Sequence, residues 1–179
     1  MDKTAFTPPG PPPTKPDQLL AKLEALGIPY VNHRHRPLYT VAESQDLRGE
    51  IPGGHCKSLF LEDKRGRLWL LVAQEDTPIR LNRLHARLGA GRLSFASFDR
   101  LWVVLGVVPG SVTPFAVVND AAGLVTVVLE RAMLAHDRLN YHPLSNDQTT
   151  TIASADLIRF LRACGHEPVV ADLTLDEAG

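Results

Sequence analysis

Two cysteines, Cys56 and Cys164, in a chain of 179 residues are too few for a disulfide scaffold, so the expectation is a cytoplasmic protein with free thiols. No apolar run approaches the roughly 20 residues needed to cross a bilayer. The N-terminal stretch "MDKTAFTPPGPPPTKP" lacks the apolar h-region of a secretory signal, and no membrane partner is expected. A formal net charge of -1 argues against a general nucleic-acid binder that works by bulk attraction, but leaves room for a local basic patch. There is no helix-turn-helix or zinc pattern, so DNA is not an expected partner. No G-x-S-x-G elbow, Walker loop or Rossmann fingerprint is present, and covalent serine hydrolysis and nucleotide hydrolysis both lose support. His33 and His35 share a strand face, but no nearby Cys, Asp or Glu completes a zinc set. Neither a metal nor a cofactor is expected.

What remains is 44% hydrophobic residues, enough for one ordinary domain with its own core. Residues 1–13, rich in Pro and Gly, read as an extended or mobile tail, and 14–179 as a single domain. A first helix begins at Thr14, with Asp17 at capping-box spacing, and can end at Gly27. "IPYVNHRH" reads as a strand, and "TVAESQDLRG" as a short helix opened by Thr40 with Glu43. "KSLFLE" and "RLWLLVA" flank the turn "DKRG" as a hairpin. "TPIRLNRLHARLG" reads as a helix with Thr77 as its cap, and "SFDRLWVVLG" as a second, from Ser97 to Gly106. "PFAVVND" and "LVTVVLE" form a pair of strands around "AAG". "LNYHPL", "TTTIA", a Ser154-capped helix and the strand "EPVVADL" complete the chain. Hairpins interspersed with helices point to an α/β fold with a mixed, largely antiparallel sheet.

Four features invite chemistry. Lys57, after Gly53 and Gly54, shares its strand face with Leu59 and Leu61. It is either a strand-end lysine with its stem on apolar surface and its ammonium in water, or an ammonium in a cleft that holds a phosphate or ester oxygen, beside glycines that let a ligand approach the backbone. "LGVVPGSVTPF" is a stiff loop: either a plain connection, or a presenter of N–H groups to a carbonyl oxygen. His142 lies among Asn140, Asn146 and Asp147, as a satisfied loop histidine or as a site residue. Arg80, Arg83 and Arg87 are spaced to share a helical face, either solvated or in contact with phosphates. His55 and Cys56, as adjacent strand residues, point to opposite faces and are not a Cys–His dyad.

Taken in order, "TVAES", "IPGGHCKSLFLEDKRGRLWLLVA", "LSFAS", "LGVVPGSVTPFAVVND", "NYHPLSNDQTTTIASADLIRFL" and "GHEP" resemble the prolyl-tRNA editing family. These are the freestanding, YbaK-like relatives of the editing domain inserted in bacterial prolyl-tRNA synthetase. The resemblance covers about 14 to 173 and is nearest the branch that clears alanine from tRNA(Pro). It implies that Lys57 lies in the active-site cleft and is needed for deacylation. It implies that Gly106, Val107, Val108, Pro109 and Gly110 shape the pocket around the aminoacyl group, with His142, Pro143 and Asn146 opposite. Glu130 stands where the family often has Asp, at the pocket's rim.

The resemblance further implies a trans-editing hydrolase. Water attacks the aminoacyl ester with help from the neighbouring ribose hydroxyl, while Lys57 holds the 3' end or neutralises developing charge. Val107 and Val108 are expected to narrow the pocket against proline. The implied partner is the acceptor end of tRNA(Pro) carrying a small amino acid, and the trans role admits prolyl-tRNA synthetase as a second. Arg80, Arg83 and Arg87 are the expected tRNA contacts, and tRNA binding that survives their replacement by alanine removes that expectation. Two alternatives are a deacylase for Cys-tRNA(Pro) or Ser-tRNA, and a non-catalytic tRNA-binding module.

Overall fold

The computed structural model describes residues 5–49 and 51–174. Its strands are β1 (Tyr30–Arg34), β2 (Gly54–Asp63), β3 (Leu68–Gln74), β4 (Leu93–Phe95), β5 (Val125–Glu130), β6 (Arg138–Tyr141), β7 (Gln148–Ala153) and β8 (Val169–Ala171). Its α-helices are α1 (Pro16–Ala25), α2 (Val41–Arg48), α3 (Leu81–Arg87), α4 (Phe98–Leu105) and α5 (Ser154–Ala163). The strands form one eight-stranded sheet in the order β1-β7-β6-β2-β3-β5-β8, with β4 added to β2. Pairs β1–β7, β6–β7, β2–β3 and β2–β4 are antiparallel, whereas β2–β6, β3–β5 and β5–β8 are parallel. The mixed α/β architecture is the one the hairpin signals predict.

Strand β2 divides the interior. Phe60 joins Leu70, Val72, Leu105, Phe115 and Phe160 in the larger core, under α1, α4 and α5. Leu61, on the opposite side of the pleat, packs with Leu71, Ala73 and Leu84 of α3, and Leu59 lies against the same cluster. Every residue of β3 from Leu68 to Ala73 is buried, because both its faces are covered.

The β2–β3 turn closes through Gly66 N–H, which donates to Asp63 O at 2.8 Å. The buried Asp63 carboxylate accepts from the backbone N–H groups of Arg65, Arg67 and Gly91, from Arg67 Nε and from Trp69 Nε1. Helix α2 has the expected capping box, with Glu43 N–H donating to Thr40 Oγ1 and Thr40 N–H to Glu43 Oε2. Helix α4 is capped by Ser97, which accepts from Arg100 N–H, and ends at Gly106 with φ of 63°.

Four local expectations change. Helix α1 is capped one residue later than Thr14: Lys15 is the N-cap and its N–H donates to Gln18 Oε1. Thr77 does not cap α3, which begins at Leu81 with Arg80 as N-cap; the Thr77 hydroxyl donates instead to Glu130 Oε1. Ser154 is the first residue of α5 behind Ala153, and its hydroxyl donates to His136 O. "PFAVVND" is not a strand but a 3-10 helix, Pro114–Asn119, started by Thr113, whose hydroxyl accepts from Phe115 N–H. Strand β5 therefore pairs in parallel with β3 rather than with that segment.

Candidate active site

The first part of the site follows from β6 meeting β2. Gly53 has φ of 105°, and a Cβ there would lie 3.0 Å from Arg138 O and 3.1 Å from Asn140 Nδ2. At Gly54 a Cβ would lie 3.0 Å from the His136 ring. The two glycines admit β6 and the His136 ring on one side, and they also line an opening with Gln74, Glu75 and Asp76. Asn140 locks the junction: Nδ2 donates to Pro52 O at 3.1 Å and to Gly54 O at 3.3 Å, and Oδ1 accepts from the Thr151 hydroxyl.

Beside this junction lies a cavity of about 70 Å³. Its walls include Cys56 and Ser58 of β2, Asn140 and Tyr141 of β6, His142, Thr149, Val112, and Leu38 and Ser44 from the other rim. Such a volume suits a small side chain or two or three waters. His142 Nδ1–H donates to Gln148 O at 2.9 Å, which leaves the lone pair on Nε2. Burial pushes the His142 imidazole below the usual histidine range, so it is neutral at pH 7. The His35 ring stands 6.4 Å from it, and His35 Nε2 accepts from the Thr149 hydroxyl at 2.8 Å. His33 faces Thr149 across the β1–β7 ladder, and among the described residues no three His, Cys, Asp or Glu side chains gather around a metal position.

The loop 106–110 does not itself line the cavity, but leads into Val112, which does. Gly106 N–H donates to Trp102 O and Ser111 N–H to Val108 O, which fixes both ends of the loop internally. Pro109 is buried, and Val107 is 1% exposed inside the larger core, so neither lines the cavity; Val112 does. Val108 is half-buried. Gly110 has φ of 91° and sits against Asn146, whose Nδ2 would be 3.7 Å from a Cβ there. Asn146 O accepts from Leu38 N–H at 3.3 Å, tying a rim residue to the loop. Gly110 and Asn146 are thus brought together, while His142 lies in the cavity wall.

Lys57 stands between Cys56 and Ser58 but on the opposite side of the pleat, opposite Ala73 in register, and shares the face of Leu59 and Leu61 as its spacing predicts. It is half-buried and outside the cavity wall. Its Nζ donates to Thr77 O at 2.5 Å, just beyond Glu75, which lines the cavity rim. Thr77 is held by the buried Glu130, whose Oε1 accepts from the Thr77 hydroxyl at 2.8 Å and Oε2 from Gln74 N–H at 2.7 Å. Glu130 therefore anchors the segment that receives Lys57, a role its position at the end of a strand does not reveal.

The arginine stripe divides. Only Arg83 and Arg87 lie in α3, since Arg80 precedes it. Arg87 Nη1 donates to Asp172 O and Thr174 O, just after the edge strand β8.

Cys56 offers no nucleophile. Burial, the largest influence, pushes its thiol up to about 12. His55 is engaged elsewhere, donating from Nε2 to Ile51 O at 3.0 Å. At pH 8 only about one molecule in 10⁴ then carries the Cys56 thiolate. In a Cys164→Ala background, Cys56 is expected to react with a disulfide reagent far more slowly than an unfolded control. Equal rates contradict the buried-thiol assignment.

Residues 35–160 match the family model of the aminoacyl-tRNA editing domain. The chain is 36% identical to the prolyl-tRNA editing protein ProX of Acetoanaerobium sticklandii, over 83% of this chain and 91% of that protein. It is 37% identical to the prolyl-tRNA synthetase associated domain-containing protein 1 of Danio rerio, over 83% and 82%. A crystal structure described as a candidate trans-editing enzyme for prolyl-tRNA synthetase superposes with a TM-score of 0.67 at 19% identity, over 91% of this chain and 99% of that one. At that identity the structural likeness speaks for the fold.

Proposed function

The chain belongs to the aminoacyl-tRNA editing domain family, in its prolyl-tRNA editing branch, and from that premise we propose that it is a trans-editing deacylase that removes alanine from mischarged tRNA(Pro). The observation that carries this reading is the cavity of about 70 Å³ walled by Val112, Tyr141 and a neutral His142. It is small and uncharged on those three walls, with Glu75 at its rim, and Lys57 stands on the other face of β2, outside the cavity wall.

An aminoacyl ester is already activated, so the enzyme's work is placement more than activation. Water adds to the ester carbonyl and the bond from that carbon to the ribose oxygen breaks. The proton lost by water passes to the departing ribose oxygen, leaving a free amino acid and an intact tRNA. The neighbouring ribose hydroxyl of the substrate relays that proton in this reading; Cys56 is protonated and His55 is bonded to backbone, so those two do not form a nucleophile–base pair. Lys57, outside the cavity on the β3 side, suits the ribose–phosphate of the 3' end better than the aminoacyl side chain. Its partner in the resting protein, Thr77 O, is a neutral carbonyl that an anionic oxygen can replace.

Selectivity then rests on size. A synthetase pocket for proline cannot shut out alanine, since missing methylenes are worth only about 1–3 kcal/mol. A second pocket that admits the smaller side chain and rejects the larger ring removes the error. The test is hydrolysis of alanyl, prolyl and cysteinyl esters of tRNA(Pro): alanine released fastest supports the reading, and cysteine released fastest assigns the cavity to another error.

A further inference from the structure

Residues 5–15 precede every strand and fall outside the matched family region, which starts at residue 35. They nevertheless run along α4 and the loop that follows it. The Phe6 ring meets Phe98 edge-on at 6.0 Å. Pro13 lies directly on Gly106: a Cβ there would be 2.4 Å from Pro13 Cγ and 2.8 Å from Pro13 Cδ. The Thr14 hydroxyl donates to Asn119 Oδ1 at 2.7 Å. Asn119, at the end of the 3-10 helix, in turn donates from Nδ2 to Leu105 O at 2.8 Å.

Asn119 thus closes the segment 105–119 into a loop by bonding its far end to its near end. That segment contains residues 106–110 and the cavity wall residue Val112. The closure depends on which way the Asn119 amide faces, since a reversed amide would set its oxygen against the Leu105 carbonyl. The Leu105 carbonyl, which only accepts, sets that orientation, and the Thr14 hydroxyl, donating to Oδ1, holds the amide there from the other side. Prolines in this stretch restrict its backbone before it docks, so little chain entropy is lost on docking.

We propose that the N-terminal strap is a positioning element of the site, with Thr14 and Pro13 as positioning residues that set the loop carrying Val112. This rests on the deacylase reading above for its consequence in catalysis, though not for its structural claim. Removing the Thr14 hydroxyl leaves Asn119 Oδ1 without its described partner, loosens the amide that closes the segment and moves the wall against which the aminoacyl group is placed.

The test compares wild type, Thr14→Val and Thr14→Ser by three readouts: the ¹³C methyl resonances of Val112, kcat and KM on Ala-tRNA(Pro), and Tm. Thr14→Val is expected to shift the Val112 methyls and to lower kcat about tenfold, as small misplacements of a reacting group do, with KM for the tRNA unchanged. Thr14→Ser, which keeps the donor, restores both. A Thr14→Val protein that loses Tm but keeps the Val112 resonances and kcat overturns the proposal, because the strap is then a brace only. If Thr14→Val does not fold, Phe6→Ala releases the strap's other end and is expected to shift the same resonances; unshifted resonances overturn the proposal equally. A wild type that hydrolyses none of the esters defeats the deacylase reading, while the Val112 resonances still decide the strap.

Discussion

Alanine at position 57 is expected to reduce hydrolysis of Ala-tRNA(Pro) by roughly 10²–10³-fold, the range seen when one group that stabilises developing charge is removed. The loss should fall mainly on kcat if Lys57 meets charge that develops in the transition state, and mainly on KM if it only grips the 3' end. Stability should change little. The side chain is half-buried, and its one described bond goes to Thr77 O, which Glu130 already holds in place through the Thr77 hydroxyl. Arginine should not substitute well, because its planar fork cannot place a single donor where the compact ammonium reaches. Single-turnover rates with labelled substrate, beside thermal melts, read both effects. A variant with the wild-type rate would return Lys57 to the role of an ordinary strand-end lysine.

The second large effect concerns stability. Asp63 is buried at the β2–β3 turn, and its carboxylate collects three backbone N–H groups, Arg67 Nε and Trp69 Nε1. Asp63→Ala strands those donors and should cost about 3 kcal/mol or more. The same carboxylate predicts a pH dependence. Burial alone would raise it, but the N–H groups of Arg67, Gly91 and Arg65, with the Arg67 side chain, outweigh burial and hold it well below the usual carboxylate range. The folded protein therefore binds this proton more weakly than the unfolded chain. The stabilisation is fully present above the unfolded value of about 3.9 and is lost as pH falls below it toward the folded value. Urea unfolding of wild type and Asp63→Asn at pH 7 and pH 3 measures this. The gap between the two proteins should be smaller at pH 3, and an equal gap at both contradicts the assignment.

Much of the framework was legible because local chemistry decides it. Ser97 and Gly106 bound α4, Thr40 and Glu43 open α2, and the alternation through 57–62 places Lys57 with Leu59 and Leu61. What was not legible depends on partners distant in sequence. Thr77 has the look of a helix cap, but its hydroxyl is taken by Glu130, 53 residues away. Gly53 and Gly54 read as room for a ligand, and their close approach to Arg138, Asn140 and His136 could not be foreseen from the sequence. The apolar run "PFAVVND" cannot be told from a strand by pattern, since its apolar side chains are mostly buried whichever way the backbone turns. In the same way Val107 and Val112 are both valines near one loop, and only the packed structure sends the first to the core and the second to the cavity. The neutral state of His142 follows from burial, which outweighs the opposing influence of its bond to Gln148 O, and that burial is not visible in "NYHPLSND".

In the proposed deacylase the cavity selects its substrate by size. The measurement that meets it most directly is the hydrolysis rate of Ala-tRNA(Pro) against Pro-tRNA(Pro) under single-turnover conditions, with wild-type protein and Val112→Ala side by side. The account predicts rapid release of alanine, little release of proline by the wild type, and a narrower preference once the wall is cut back. Equal hydrolysis of both esters by the wild type, or a preference unaltered by Val112→Ala, would contradict it.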